Sequence, residues 1–325
     1  MKLRVAVVYG GRSGEHEISI RSAKAIMAGM DPARYEVIEY FIGQDGKWSP
    51  RPILPEPGAH PGIDVVFPVL HGTFGEDGTV QGLLELADLP YVGAGVLASA
   101  ISMDKEMMKR VCQERLLPVV DYVVLQRDHL DAARVSGRLP FPMFVKPANL
   151  GSSVGISKVH HAGELESALR LAAEYDSKII AERGIEGREL ECAVLGNQQP
   201  VAAVPCEILP SREFYDYEDK YLLDKAETRV PADLTPEQTE EVRRLAVECY
   251  RAVECAGMAR VDFLLEKATG KLYINEINTI PGFTSISMYP KMWEHSGLPF
   301  AGLVDRLIEL ALERHRARQA TRFTR

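Results

Sequence analysis

Hydrophobic and polar positions along the chain fall into two periods. Short β-rich runs alternate with stretches at helical spacing. Residues 3–9 form an apolar run that ends in Gly10-Gly11-Arg12-Ser13-Gly14. Over 17–30, Ile18, Ala23, Ile26 and Met27 share one side of a helix. Strands are predicted at 35–42 and 64–70, a Pro/Gly-rich loop at 51–62, a helix at 79–86 and a short strand at 90–93. A strand, a glycine loop and a helix in this order open an α/β layer domain, here placed at 1–100. A second domain is expected over 101–183, with a helix at 104–114, strands at 119–125, 143–146 and 178–182, and a helix at 162–175. Residues 149–155, rich in Gly and Ser, read as a hairpin loop. A third domain, 184–325, takes strands at 189–195, 201–207, 259–266 and 271–277 and helices at 236–253 and 300–316. Residues 211–226 are polar and aromatic, too long for a tight turn, and read as a lid.

Composition narrows the class. With 325 residues, 46% hydrophobic and 26% charged, the chain suits a soluble protein of several domains. No apolar run approaches the ~20 residues of a membrane helix. The N-terminus has no signal-peptide pattern, so a cytoplasmic location is expected. Five cysteines without C-x-x-C spacing argue against a disulfide frame or a zinc site. A net charge of −8 argues against a nucleic-acid binder.

The strongest chemical signal is Arg260-Val261-Asp262 followed by Asn275-Glu276-Ile277-Asn278, with Ala268-Thr269-Gly270 as the turn between two antiparallel strands. Residues two apart in a strand face one side. One hairpin then offers two carboxylates, an amide oxygen and a guanidinium to one point. Hard oxygen ligands suit Mg²⁺ carrying substrate phosphates. The alternative is a surface hairpin with cross-strand ion pairs, but Asn beside Glu inside Tyr-Ile-x-x-Ile is costly unless used.

Other segments are weaker alone. Lys146 leaves an apolar strand just before the glycine-serine loop, where it suits either a phosphate or solvent. Lys105 stands at a helix start and by itself reads as a surface lysine. Gly10 to Gly14 precedes a helix N-terminus, yet Glu15 and Glu17 would repel phosphate. Glu15 there suits an ammonium group, and Glu17 the helix dipole. Residues 215–221 hold three tyrosines and a lysine, more aromatic than a hydrated loop needs. His71 ends a strand, where ligand residues gather in α/β sheets, though a lone histidine is more often structural.

Together these segments resemble the D-alanine–D-alanine ligases of the ATP-grasp superfamily. The resemblance is carried by Gly10-Gly11-x-Ser13-x-Glu15-His16-x-x-Ser19, the run from His71 to Gly78, Ser102-Met103-Asp104-Lys105, Val145-Lys146-Pro147 with Gly151-Ser152-Ser153-Val154-Gly155, and Tyr215 to Tyr221. Arg260-Val261-Asp262 and Asn275-Glu276-Ile277-Asn278-Thr279-x-Pro281-Gly282-Phe283-Thr284-Ser285-x-Ser287 complete it. The order holds from residue 3 to about 310, which makes it specific although each motif alone is weak.

The resemblance implies an α/β (α+β) ATP-grasp fold of three domains. The first carries a parallel sheet, and ATP lies between the central and C-terminal domains. It implies that two D-alanines are joined through an acyl phosphate, for peptidoglycan synthesis, by a homodimer. Lys105 and Lys146 would hold phosphates, Glu182, Glu189 and Lys220 would also serve ATP, and Asp262, Glu276 and Asn278 would bind two Mg²⁺, with Mn²⁺ a possible substitute. Arg260 and the Gly282 N–H would form an oxyanion site. Glu15, Ser152 and Tyr221 would form a hydrogen-bonded chain at the first substrate. His71 and Tyr215 would line the substrate site, and Ser287 and the Met288 N–H would take the second carboxylate. Met288 stands where leucine is commoner, and Arg183-Gly184-Ile185 and Ala148-Asn149-Leu150 also depart from the pattern. Two further readings are a depsipeptide or D-serine ligase, disfavoured by Tyr221, and a non-catalytic nucleotide binder, disfavoured by the intact ligand set.

Overall fold

The computed structural model describes residues 2–151, 154–209, 227–284 and 286–322. Three sheets organise them. In the first, β1 (Leu3–Gly10) pairs in parallel with β2 (Tyr35–Ile42) and β4 (Val65–Val69), and β3 (Trp48–Ser49) lies antiparallel at the edge. The fully buried β4, Val-Val-Phe-Pro-Val, reads as the continuous apolar run of a parallel sheet covered on both faces. Gly10 closes the turn into helix α1 (His16–Gly29): its φ is +93°, and a Cβ there would stand 2.2 Å from the Ile42 carbonyl oxygen. Ser19 of α1 then accepts from the Gly10 N–H at 2.8 Å.

Helices α2 (Thr79–Leu86), α3 (Val96–Met103) and α4 (Lys105–Glu114) follow. The Asp104 side chain caps α4, accepting from the Glu106 and Met107 N–H groups. The second sheet has the order β5 (Tyr122–Gln126), β8 (Lys178–Arg183), β6 (Met143–Pro147), β7 (Ser157–Val159), with α5 (Ala132–Ser136) and α6 (Ala162–Tyr175) completing a separate core. The third sheet has the order β12 (Glu227–Arg229), β11 (Cys206–Leu209), β9 (Gly187–Gly196), β13 (Gly257–Glu266), β14 (Leu272–Asn278), and β10 (Val201–Ala202) pairs with β9. Helix α7 (Pro236–Ala252), with its Thr235/Gln238 capping box, covers one face of it together with α4.

Helices α8 (Met288–His295) and α9 (Phe300–Gln319) fix the relation between the ends of the chain. Their Tyr289, Trp293, Leu303 and Leu307 share one core with Val5, Val7, Val65 and Phe67 of the first sheet and Ala193 and Leu195 of β9. Residues 280–283 are thereby brought against the residues that follow β4 and against α1, near the strand ends where ligands gather in such sheets.

Several expectations change. The strand expected at 90–93 is a single bridge, Val66 to Tyr91. The run at 201–207 divides into β10 and β11 around Pro205, which has no N–H to give the ladder. The strand expected from 119 begins at Tyr122, and Val119 instead bridges to Ile274. Helices α3, α5 and α8 were not anticipated. In α8, Pro290 looks like a breaker but lies in the first turn, where its missing N–H costs nothing.

Candidate functional site

The site begins with β13. Its alternation buries Val261 and Phe263 against α7 and leaves Arg260 and Asp262 on the opposite face. The antiparallel register sets Arg260 opposite Asn278 and Asp262 opposite Glu276. On the other side of β13, Asp262 lies opposite Glu191 of β9. Three carboxylates, Glu191, Asp262 and Glu276, thus stand in a row across three strands. Like charges directly opposite one another destabilise a sheet, so this row calls for cations.

Two are supplied by the chain. The Arg260 guanidinium holds Asp262 through Nε at 2.7 Å and Nη2 at 2.6 Å and lies 3.3 Å from Glu191. Burial alone would lower its pKa, but the charges of Asp262 and Glu191 more than reverse this and fix it as a cation. Lys105, at the first position of α4, has its Nζ 3.5 Å from Glu276 and donates to the Leu150 carbonyl at 2.8 Å. It therefore ties the glycine-serine loop to the acid row. Asn278 accepts from the Ile280 N–H through Oδ1, which fixes the orientation of its amide.

The acid row opens into a cavity of about 810 Å³ that also reaches the first sheet. Glu15, His71, Lys105, Glu189, Arg260, Asp262, Glu276, Asn278, Gly282, Ser287 and Met288 all line it. Lys146 and Glu182 do not. They lie behind its wall as a buried pair, Nζ to Oε2 2.6 Å. Ser152, Tyr215, Lys220, Tyr221 and the lid of 211–226 lie outside the described residues, as does Ser285. Among the described residues no cluster of three or more His, Cys, Asp or Glu side chains has a geometry for a metal ion. The Asp262–Glu276–Asn278 set has only two acids and an amide. Its hard oxygens and its excess of negative charge nevertheless fit Mg²⁺ that arrives with phosphate oxygens as further ligands.

His71 has a definite role in the fold. Its Nδ1 is 2.9 Å from the Ile280 carbonyl, which only accepts, so the proton is on Nδ1. Burial depresses its pKa and keeps the ring neutral. Nε2 then accepts from the Ser22 hydroxyl at 3.2 Å, and Ser22 Oγ accepts from the Phe283 N–H at 3.2 Å. Glu76 adds a second hold on the same loop, accepting from Gly72 N–H at 2.7 Å and Ile280 N–H at 3.1 Å. Burial, and after it the charge of Glu15, pushes the Glu76 carboxyl up to about 8. The first sheet thus clamps residues 280–283 on both sides of Gly282. A Cβ at Gly282 would come within 2.7 Å of Ser287 Oγ, so a side chain there would displace the Ser287 hydroxyl. Ser287 Oγ accepts from the Thr284 N–H at 3.0 Å and stands at the N-terminus of α8, whose free N–H groups favour an anion.

Ser22, Glu76, Lys109 and Glu191 received no role from the sequence. Glu191 shares a face with Glu189, two residues away, and Lys109 shares a helix face with Lys105, four away. These periodicities place each side chain on a shared face but do not record what it meets there.

Two family models match the chain: "D-ala D-ala ligase N-terminus" over residues 4–60 and 54–94, and "D-ala D-ala ligase C-terminus" over residues 111–309. A D-alanine–D-alanine ligase from Solibacter usitatus is 77% identical over 325 residues, covering all of both chains. One from Thermoanaerobacter sp. is 50% identical, covering 97% of this chain and 98% of that protein. Among solved structures, the D-alanine–D-alanine ligase from Coxiella burnetii superposes with a TM-score of 0.88 at 42% identity, covering 98% of this chain and 96% of that one. The VanG D-Ala:D-Ser ligase from Enterococcus faecalis gives 0.87 at 35% identity, covering 96% and 100%.

Proposed function

From the premise that the chain belongs to the D-alanine–D-alanine ligase family, we propose that the cleft beneath β9, β13 and β14 is where one D-alanine is activated for attack by another. The chain has the family's ATP-grasp fold and is an ATP-dependent ligase that forms D-alanyl-D-alanine through an acyl phosphate, a step of peptidoglycan synthesis.

A carboxylate is a poor electrophile, and phosphorylation gives it a leaving group. Little covalent work then falls to the protein, so positioning and charge dominate. Asp262, Glu276 and Asn278 would hold Mg²⁺, as two ions with Mn²⁺ able to substitute. Bound there, the metal neutralises charge on the transferring phosphoryl group. Glu191 and Asp262 hold the Arg260 guanidinium on the cleft side of β13, where it would face the reacting carboxyl. Arg260 and the Gly282 N–H stabilise the oxyanion formed when the second amine attacks, and phosphate then leaves. Glu15 takes the ammonium of the first D-alanine, with Ser152 and Tyr221 completing that chain, His71 behind it and Tyr215 from the lid. Ser287 and the Met288 N–H take the carboxylate of the second, with support from the α8 N-terminus. Lys105, Lys146 and Lys220 serve the phosphates, Glu189 the ribose, and the stretch from Glu182 the adenine. Closing the lid keeps water from the acyl phosphate.

The division into 1–100, 101–183 and 184–325 is supported by three sheets that fall one in each range. A cytoplasmic location is supported by five free, buried cysteines, among them Cys112 and Cys249, whose thiols hydrogen-bond at 3.8 Å and form no disulfide. We read the chain as a homodimer, supported by Leu86 and Leu97, 64% and 54% exposed on adjacent helices.

The observation that carries this reading is the row of three acids, held by Arg260 and Lys105, beside a clamped glycine loop. The test is product analysis with D-alanine as first substrate and D-alanine, D-serine or D-lactate as second. D-alanyl-D-alanine as the main product supports it. Preferential D-serine or D-lactate incorporation would move the chain to another branch of the fold.

A further inference from the structure

Three buried charges lie behind the cleft. Lys109 of α4 is fully buried, and its Nζ is 3.1 Å from Oε1 of Glu182 on β8. Lys146 of β6 holds the other oxygen of the same carboxylate at 2.6 Å. Lys109 also donates to the Asn275 carbonyl at 3.4 Å. Asn275 is the residue bulged out of the β13–β14 ladder, where Asp262 pairs with Glu276 but Phe263 pairs with Ile274. One ammonium group thus joins α4 to both the central and the C-terminal sheets.

Two lysines on one carboxylate exceed charge balance by one, and the two are not equivalent. Lys109 has an ion-pair partner on one sheet, a carbonyl acceptor on the other and no exposure, so it is held in place. Lys146 keeps an 8% exposed side chain and leads directly into the loop at 148–155. For Lys146 to reach a phosphate in the cleft it must let go of Glu182. A buried carboxylate stripped of its only cation is strongly disfavoured, but with Lys109 in place the remaining pair stays neutral.

We infer that Lys109 is the standing counter-ion of Glu182 and thereby frees Lys146 for the phosphates of ATP. Lys109 is a positioning residue that touches no substrate. The inference rests on the reading of Lys146 as a phosphate ligand. Tyr122 of β5, opposite Glu182 in the ladder, is the other titratable group facing this carboxylate. Burial pushes Glu182 up, and the charges of Lys109 and Lys146 more than reverse it, so the group is a carboxylate. Burial pushes Lys109 down, and Glu182 offsets part of that.

The test compares wild type, Lys109→Met, Glu182→Gln and the double variant by ATP Kd without D-alanine, and by KM and kcat. In Lys109→Met, Lys146 is pinned on Glu182, so ATP Kd and KM rise about tenfold or more while kcat at saturating ATP changes less than about threefold. In the Glu182→Gln background no carboxylate holds Lys146, and adding Lys109→Met changes ATP Kd less than about twofold. A merely structural lysine would weaken both backgrounds alike. Wild-type ATP affinity in Lys109→Met, or an undiminished effect in the Glu182→Gln background, would overturn the inference. If Lys109→Met alone does not fold, the comparison of Glu182→Gln with the double variant still decides. Wild-type ATP affinity in Lys146→Met would instead overturn the phosphate reading, and the inference with it.

Discussion

Ser22→Ala probes the clamp on the glycine loop at a residue that itself has no assigned contact with substrate, though it bonds His71. Ser22 is fully buried and its hydroxyl does two things: it donates to His71 Nε2 and accepts from the Phe283 N–H, both at 3.2 Å. Alanine leaves two buried polar groups without partners and a space of one oxygen atom, too small for water. Each such group costs about 1–3 kcal/mol, so the pair costs about 2–6 kcal/mol. Part of this appears as lost stability. Part is relieved by the loop moving, and the loop carries the Gly282 N–H proposed for the oxyanion site. A misplaced oxyanion donor costs about 10²–10³ in kcat. The expected result is a lowered melting temperature in calorimetry and a fall in kcat of about 10²-fold, with ATP KM little changed because the phosphate side of the cleft is untouched. Wild-type kcat and wild-type melting temperature together would refute the clamp. A lowered melting temperature with wild-type kcat would show that the loop is held but that its position does not set the rate.

Two further outcomes follow from the charges. The Glu76 carboxyl is raised from an ordinary 4.5 to about 8, first by burial and then by Glu15. A raised acid contributes stability that is present below its unfolded pKa and lost as pH rises through its folded one. Melting temperature should therefore fall between pH 4.5 and about 8, and Glu76→Gln should make that decline shallower; an unchanged slope would contradict the assignment. Arg260 holds Asp262 through two nitrogens and reaches Glu191 as well, a fork that a single ammonium cannot reproduce. Arg260→Lys should lower kcat about 10²-fold in steady-state assays, and wild-type turnover would exclude Arg260 from the reacting centre.

How much of this was legible in the sequence depends on the range of the contact. The β13–β14 hairpin is local: strand alternation and a Thr-Gly turn were enough to bring Asp262, Glu276 and Asn278 to one point, while the register itself depends on a bulge beside Asp262. The third acid was harder, because Glu191 meets Asp262 only through the pairing of β9 with β13, more than 60 residues apart in sequence, which no local period records. Ser22 and His71 are further cases. Each is unremarkable in its own segment, and their hydrogen bonds to residues 280–283 arise because α8 and α9 share a core with the first sheet. Helix α8 is obscured in the sequence by Pro290, a residue that stops a helix interior but is tolerated in the first turn. Lys109 was hidden by its type, since a lysine four residues from another on an amphipathic helix ordinarily faces water.

The central claim is that the acid row and the clamped glycine loop together couple ATP hydrolysis to bond formation between two D-alanines. The most direct measurement follows ADP and D-alanyl-D-alanine released by the purified chain with ATP, Mg²⁺ and D-alanine, alongside Asp262→Asn. The account predicts one dipeptide per ADP in the wild type, no ADP without D-alanine, and turnover abolished in Asp262→Asn. Full turnover in Asp262→Asn, or ADP release indifferent to D-alanine, would contradict it.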